Sequence, residues 1–86
     1  MIFALSIRDK SGLSRDLEVE IFKPVRSSDT EAWECVIRWR GGVEGQTKAF
    51  GATSIQSLSL ALEHLRFTLP LDFPGCTFTE NGLPWL

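Results

Sequence analysis

The first fifty residues contain four segments in which apolar and polar side chains alternate. A period of two is typical of strands that bury one face and expose the other. The four segments are 2–8, 17–23, 32–40 and 46–50. Glycine or proline lies in each of the stretches between them, as expected where a chain turns. The pattern predicts an antiparallel meander of about four strands, and this sheet needs another layer to cover its apolar face.

The covering layer is predicted in residues 53–69. Thr53 is a suitable N-cap, and Gln56 lies three positions later, where a capping box places a glutamine. Large apolar side chains then recur at helical spacing and define one stripe. The stripe consists of Ile55, Leu58, Leu62, Leu65 and Leu69, with Ala61 at its edge. Pro70 biases the preceding residue away from helical geometry, so the helix is predicted to end at Leu69.

Together these elements predict an α+β fold, a two-layer sandwich with one long helix packed on one face of the antiparallel meander. The opposite face of the sheet is expected to contact water, which antiparallel sheets tolerate. Residues 76–80 are the candidate for a short C-terminal fifth strand, followed by a turn and an apolar tail. With 86 residues, the chain is expected to form a single domain over residues 1–86.

The composition argues against several classes of function. The net charge is −2, so nucleic acid is not expected as a partner, because nucleic-acid-binding proteins usually carry a basic surplus. No apolar run approaches the ~20 residues that a membrane span requires. The N-terminal stretch MIFALSIRDK has no basic lead and no small-residue cleavage site of the kind that secretion signals carry. The expected location is therefore cytoplasmic.

Residues that commonly bind metals or carry catalysis are few. His64 is the single histidine, and Cys35 and Cys76 are the only cysteines. Neither a C-x-x-C nor an H-x-x-x-H spacing occurs, so no metal or cofactor is expected. The two cysteines are interpreted as buried thiols, with one disulfide between them left open as an alternative. Enzymatic activity is accordingly not the favoured interpretation.

The polar face of the meander carries charges of both signs. Glu18 and Glu20 lie on one strand, and Arg38 and Arg40 lie on the next. Ion pairing across a solvated sheet face explains this set. The alternative is a small-ligand or catalytic site built from these side chains or from His64, and this alternative requires a concave polar pocket.

Apolar side chains are also predicted outside the core. Leu60, His64 and Phe67 are expected on the back of the helix, where the C-terminal tail with Trp85, a second copy, or another protein would cover them. Phe22, Val36 and Phe50 are predicted on the open face of the sheet. Aromatic and apolar side chains with a charged rim are typical of protein interfaces. The favoured function is a small non-catalytic module that binds a protein partner or forms a homodimer.

Several stretches together resemble a known family. They are VEIFKP, WECVIR, a glycine turn, FGATSIQSLSLALEHL and NGLP, and they extend over roughly residues 17–84. The most specific part is the pattern FG-x-x-S-x-QSL-x-x-AL. The chain resembles a family of small uncharacterised bacterial domains of unknown function. The resemblance implies a bacterial source and a compact domain of four strands and a helix, and it implies no activity, cofactor or catalytic residue.

Overall fold

A computed structural model describes residues 1–80 and 83–84. This part of the chain forms one sheet and one helix. The elements are β1 (Ile2–Arg8), β2 (Ser14–Ile21), β3 (Val25–Arg26), β4 (Trp33–Arg40), β5 (Gly45–Gly51), α1 (Ser54–Asp72), β6 (Thr77–Glu80) and β7 (Leu83–Pro84). The α+β prediction is confirmed, and the sheet has more strands than the four or five expected.

The four long strands β1, β2, β4 and β5 are neighbours in chain order and pair antiparallel, as a meander does. The predicted fifth strand exists as β6, and it pairs with the first strand of the chain, with Phe78 opposite Ile7. β7 continues the sheet beyond β6. The edges of the described sheet are therefore β5 on one side and β7 on the other.

The short strand β3 continues β2 along the same side of β4 with a shift in register. β2 pairs Ile21 with Ile37, whereas β3 pairs Val25 with Glu34. Between these two pairs the chain advances by four residues from Ile21 to Val25 but by only three from Glu34 to Ile37 on β4. One extra residue is therefore accommodated on the side of β2 and β3. Pro24 lies in this interval, and a proline without an N–H is tolerated where the ladder is interrupted. The interruption acts as a β-bulge.

The core lies between α1 and the face of the sheet formed by the odd-numbered residues of the three central strands. It is closed at one end by Phe73 and Phe78, whose rings meet edge to face with centroids 6.2 Å apart. The buried apolar residues are Leu5, Ile7, Leu17, Val19, Ile21, Cys35, Ile37, Trp39, Ala49, Ala61, Leu65, Leu69, Phe73 and Phe78. The core-facing sides of the strands agree with the alternation in the sequence.

The helix begins as predicted but ends later. Thr53 Oγ1 accepts a hydrogen bond from the backbone N–H of Gln56 at 3.1 Å. The predicted end at Leu69 is wrong, because the helix includes Pro70 and continues to Asp72. Pro70 removes a single backbone donor, while the N–H of Phe73 still bonds to the carbonyl of Leu69 at 2.9 Å. Burial of Leu69 on one side of the proline and Phe73 on the other holds this last turn in place.

The buried face of the helix is rotated from the predicted stripe. Its fully buried members are Ser57, Ala61, Leu65 and Leu69, whereas Ile55 is 75% exposed. The cause is a close approach between α1 and the end of β5, since a Cβ atom on Gly51 would lie 2.6 Å from the backbone nitrogen of Ser57. Small residues therefore face the sheet at the start of the helix, and the large side chains pack around them. Leu58 and Leu62 are partly buried against the core.

Leu60 is placed differently from the prediction for the same reason. It is partly buried and packs against the core cluster, so it does not form part of an exposed patch on the back of the helix. The rotation that turns Ile55 outward brings Leu60 toward the sheet on the other flank of α1.

Candidate protein-binding surface

The sheet face opposite α1 is called the open face below. It carries the even-numbered residues of β2 and β4, with Glu18 paired to Arg40 and Glu20 paired to Arg38 in the ladder. Arg40 Nη2 lies 2.8 Å from Glu18 Oε1. The hydrogen bond to Glu18, followed by the charge of the same carboxylate, raises the pKa of Arg40. Ion pairing between neighbouring strands is therefore present as the sequence predicts.

A groove of about 520 Å³ lies over this charged part of the open face. Its lining residues are Glu18, Glu20, Arg38, Trp39, Arg40, Glu44, Gly45 and Gln46. Its arginines are engaged by the chain itself, because Arg40 bonds to Glu18 and Arg38 Nε donates to Gln46 Oε1 at 3.2 Å. The groove is concave and polar, which is the geometry that the alternative ligand-binding interpretation requires.

The other end of the open face is apolar. The name apolar end is used here for four side chains, Phe22, Val25, Val36 and Phe50. The N–H of Phe22 donates to the carbonyl of Val36 at 3.0 Å, and the register places Val25 and Phe50 on either side of Glu34. Val25 is 66% exposed and Phe50 is 53% exposed. Three neighbouring strands thus present apolar side chains to solvent, with Glu34 between Val25 and Phe50.

Charged side chains surround the apolar end. The guanidinium of Arg38 lies over the ring of Phe22, 5.1 Å from the centroid. Lys48 Nζ lies 3.5 Å from Glu34 Oε1. A hollow of about 230 Å³ opens between these groups. It is lined by Phe22, Lys23, Val25, Glu34, Val36 and Arg38. An aromatic ring capped by an arginine, with ion pairs at the margin, is the composition that protein interfaces favour.

The helix surface is the second predicted location. His64 is exposed, and Phe67 is 74% exposed beside a shallow hollow that Glu63, Arg66 and Pro70 also line. Leu83 of the C-terminal tail lies in β7 at the sheet edge opposite β5, and it is itself exposed. The described part of the tail therefore leaves Phe67 uncovered. Trp85 lies outside the described residues.

The structure brings Phe22, Val36 and Phe50 together on one surface and leaves Phe67 and His64 on another. Sequence reasoning missed Val25 and Lys23 as members of the first surface. Proline at position 24 predicts the end of a strand, and the return of Val25 to the sheet depends on the one-residue register shift. The sequence feature that could have indicated the return to the sheet is the β-branched Val25 directly after Pro24.

Side chains that could bind a metal or act in catalysis are dispersed over the described residues. In residues 1–80 and 83–84, no three of the His, Cys, Asp and Glu side chains come together in a metal-binding arrangement. Both cysteines are free, so the alternative of a disulfide is wrong. The expectation of two buried thiols holds for Cys35 but not for Cys76, which is half-buried. Burial raises the pKa of the Cys35 thiol.

Within the described part of the chain, no helix combines the length and apolarity that crossing a bilayer requires.

Comparison with known proteins gives a family and no function. No curated protein matches the chain, and no solved structure matches it. A family model described as a domain of unknown function, DUF6968, matches residues 4–72. Because this match includes most of the sheet and the whole of α1, the chain belongs to the DUF6968 family.

Proposed function

We propose that this protein is a non-catalytic module that binds another protein chain through the apolar end of its open face. The observation that supports the proposal is the exposure of Val25 and Phe50 next to Phe22 and Val36 on one face of the sheet. Four apolar side chains on rigid neighbouring strands form a pre-organised contact surface, which reduces the entropy lost on binding.

The helix surface supports binding less well. Leu60 packs into the core, so the predicted set on α1 is reduced to Phe67 and the exposed polar His64. Phe67 and Leu71 are both exposed one turn apart on α1, but isolated exposed apolar side chains are common on monomeric proteins and need no partner to explain them. The open face offers four apolar side chains from adjacent strands with charged groups among and around them, which is typical of interfaces.

Site-specific photo-crosslinking tests the proposal in the cells that produce the protein. A photoreactive phenylalanine analogue replaces Phe50 in one variant and Phe67 in a matched control, since both native side chains are aromatic and more than half exposed. The expected result is a discrete protein adduct from position 50 and none from position 67. An adduct from position 67 alone would move the surface to the helix, and no adduct from either position would refute the binding function.

The mass of the adduct also identifies the kind of complex. A mass of twice the chain indicates a homodimer, and any other discrete mass indicates a different protein. The addition of Val25→Glu to the position 50 variant should suppress the adduct, because a further carboxylate would replace an exposed apolar side chain of the contact surface. The adduct should persist when Ile55→Glu, on the exposed side of α1, is added instead.

The groove supports a second candidate function, the binding of a small polar ligand. Its volume of about 520 Å³ falls in the range of small-molecule sites, roughly 300–1,000 Å³. The groove would provide carboxylate acceptors from Glu18 and Glu20 and guanidinium donors from Arg38 and Arg40. Titration of the ¹⁵N-labelled protein with mixtures of amino acids and other zwitterions tests this function. Saturable shifts at the Gln46 amide that disappear in Arg40→Gln would support it, and unchanged spectra would exclude those ligands.

A further inference from the structure

The apolar end of the open face is locally basic, although the chain as a whole is acidic. Lys23 and Arg38 line the hollow and Lys48 adjoins it, while Glu34 is the one carboxylate in its wall. The net charge of the whole chain is −2. Among the ion pairs of the described residues, Glu34 is matched by Lys48, and neither Lys23 nor Arg38 takes part in one. Lys23 and Arg38 therefore lie at the rim of the apolar hollow outside these ion pairs, with Glu20 as the ladder neighbour of Arg38.

The size of the hollow limits what it can hold. About 230 Å³ is below the range of roughly 300–1,000 Å³ that is usual for small-molecule pockets. It suits one apolar side chain placed between Phe22, Val25 and Val36. Carboxylates on either side of that inserted side chain would meet Lys23 and Arg38. Charge complementarity of this kind steers association and selects the partner.

A second copy of the chain fits this surface poorly. A two-fold dimer places the same patch of both subunits in contact. Three cations and one carboxylate of one apolar end would then meet the same set on the other, and an excess of like charge across an interface is unfavourable.

We propose that the partner is an acidic segment of another protein that inserts one apolar side chain into the hollow. This inference depends on the proposed function and specifies its partner. Lys23 and Arg38 bind the flanking carboxylates, and Phe22, Val25 and Val36 surround the inserted side chain. The Arg38 guanidinium remains over the Phe22 ring and presents its outer edge to the segment.

Selection from a random 12-residue peptide library displayed on phage tests the proposal with the full chain immobilised. The expected consensus is a leucine or phenylalanine flanked by Asp or Glu. A synthetic peptide of that consensus should bind with a dissociation constant that rises with salt concentration. Its affinity should fall by about tenfold or more in Val25→Glu, since anchors in desolvated pockets carry most of the binding energy. The affinity should be unchanged in Ile55→Glu, which introduces a glutamate in place of a β-branched apolar residue at a similarly exposed position.

Several results would overturn the inference. Enrichment of basic or uncharged peptides, or binding that Val25→Glu does not weaken, would exclude an acidic segment. Binding to vesicles of phosphatidylcholine and phosphatidylserine that Val25→Glu abolishes, without any enriched peptide, would assign the surface to an anionic membrane. A dimer detected by sedimentation and lost in Val25→Glu would replace the acidic segment with a second copy. That last result would leave the proposed binding function intact. An adduct at position 67 alone would remove the acidic segment from the apolar end, and no adduct at either position would refute the binding function as well.

Discussion

Gly45→Ala is predicted to destabilise the fold, because the absence of a side chain at Gly45 leaves room for the indole ring of Trp39. Gly45 lies opposite Trp39 in the β4–β5 ladder. A Cβ atom on Gly45 would lie 2.5 Å from Cε2 and 2.7 Å from Nε1 of Trp39, and closer still to Cζ2. Carbon atoms in contact prefer roughly 3.5–4.0 Å. Trp39 is only 2% exposed, so its ring cannot withdraw without displacing the core around it.

The magnitude follows from two opposing terms. Forcing a methyl group into a packed core typically costs ~1–3 kcal/mol. Replacing a glycine in the interior of a strand by alanine otherwise gains roughly 0.5–1 kcal/mol through the unfolded state. Gly45→Ala is therefore expected to lower the free energy of unfolding by about 1.25 kcal/mol, the difference between the midpoints of the two ranges. For a domain of this size that corresponds to a fall in Tm of roughly 5–10 °C.

Urea denaturation of a double-mutant cycle isolates the contact. Trp39→Phe removes Cζ2 and the indole N–H, which is buried without a hydrogen-bond partner in the described part of the chain. In that background Gly45→Ala should cost less, because Cζ2 and Nε1, two of the three atoms it would overlap, are gone. The packing argument is refuted if Gly45→Ala costs nothing in the native background, or if its cost is the same in both backgrounds.

Three further predictions test the helix and the thiols. Leu65→Ala should lower the free energy of unfolding by about 2–5 kcal/mol, because Leu65 is fully buried. Ile55→Ala, at an exposed position, should change the free energy of unfolding by less than about 0.5 kcal/mol. Comparable losses for the two variants in urea denaturation would mean that the helix is not rotated as described. Thr53→Ala should cost about 1 kcal/mol through the loss of its N-cap hydrogen bond, and an unchanged urea midpoint would contradict that role. Iodoacetamide should modify Cys76 well before Cys35, since Cys35 is inaccessible and its pKa is raised by burial; peptide mass spectrometry showing Cys35 modified first would contradict the placement of the thiols.

Features that depend on local sequence could be predicted. Alternation fixes which side of a strand is apolar, so the core positions of β1, β2 and β4 follow from the sequence. The start of α1 also follows, because an N-cap such as Thr53 acts on backbone groups within one turn. For the same reason Phe22, Val36 and Phe50 lie on the open face, where alternation places them.

Features that depend on packing between elements could not be predicted. The rotation of α1 arises because Gly51 and Ser57 lie close together. The prediction of the helix face considered only large apolar residues at helical spacing, so the small residues that face the sheet were not identified. The continuation of α1 past Pro70 depends on burial of the residues that follow it. The candidate site was incomplete for a similar reason, since Val25 joins the apolar end only after a register shift that pairing with β4 determines.

The most direct test of the central claim is hydroxyl-radical footprinting of the phenylalanine side chains. The purified chain and the chain in lysate of the producing cells are oxidised in parallel, and peptide mass spectrometry gives the oxidation rates of Phe50 and Phe67. Phe50 is expected to react readily in the purified chain and to be protected in lysate, while Phe67 is expected to react equally in both. Unchanged oxidation of Phe50 in lysate, or protection of Phe67 instead, would contradict the assignment of the binding surface to the apolar end of the open face.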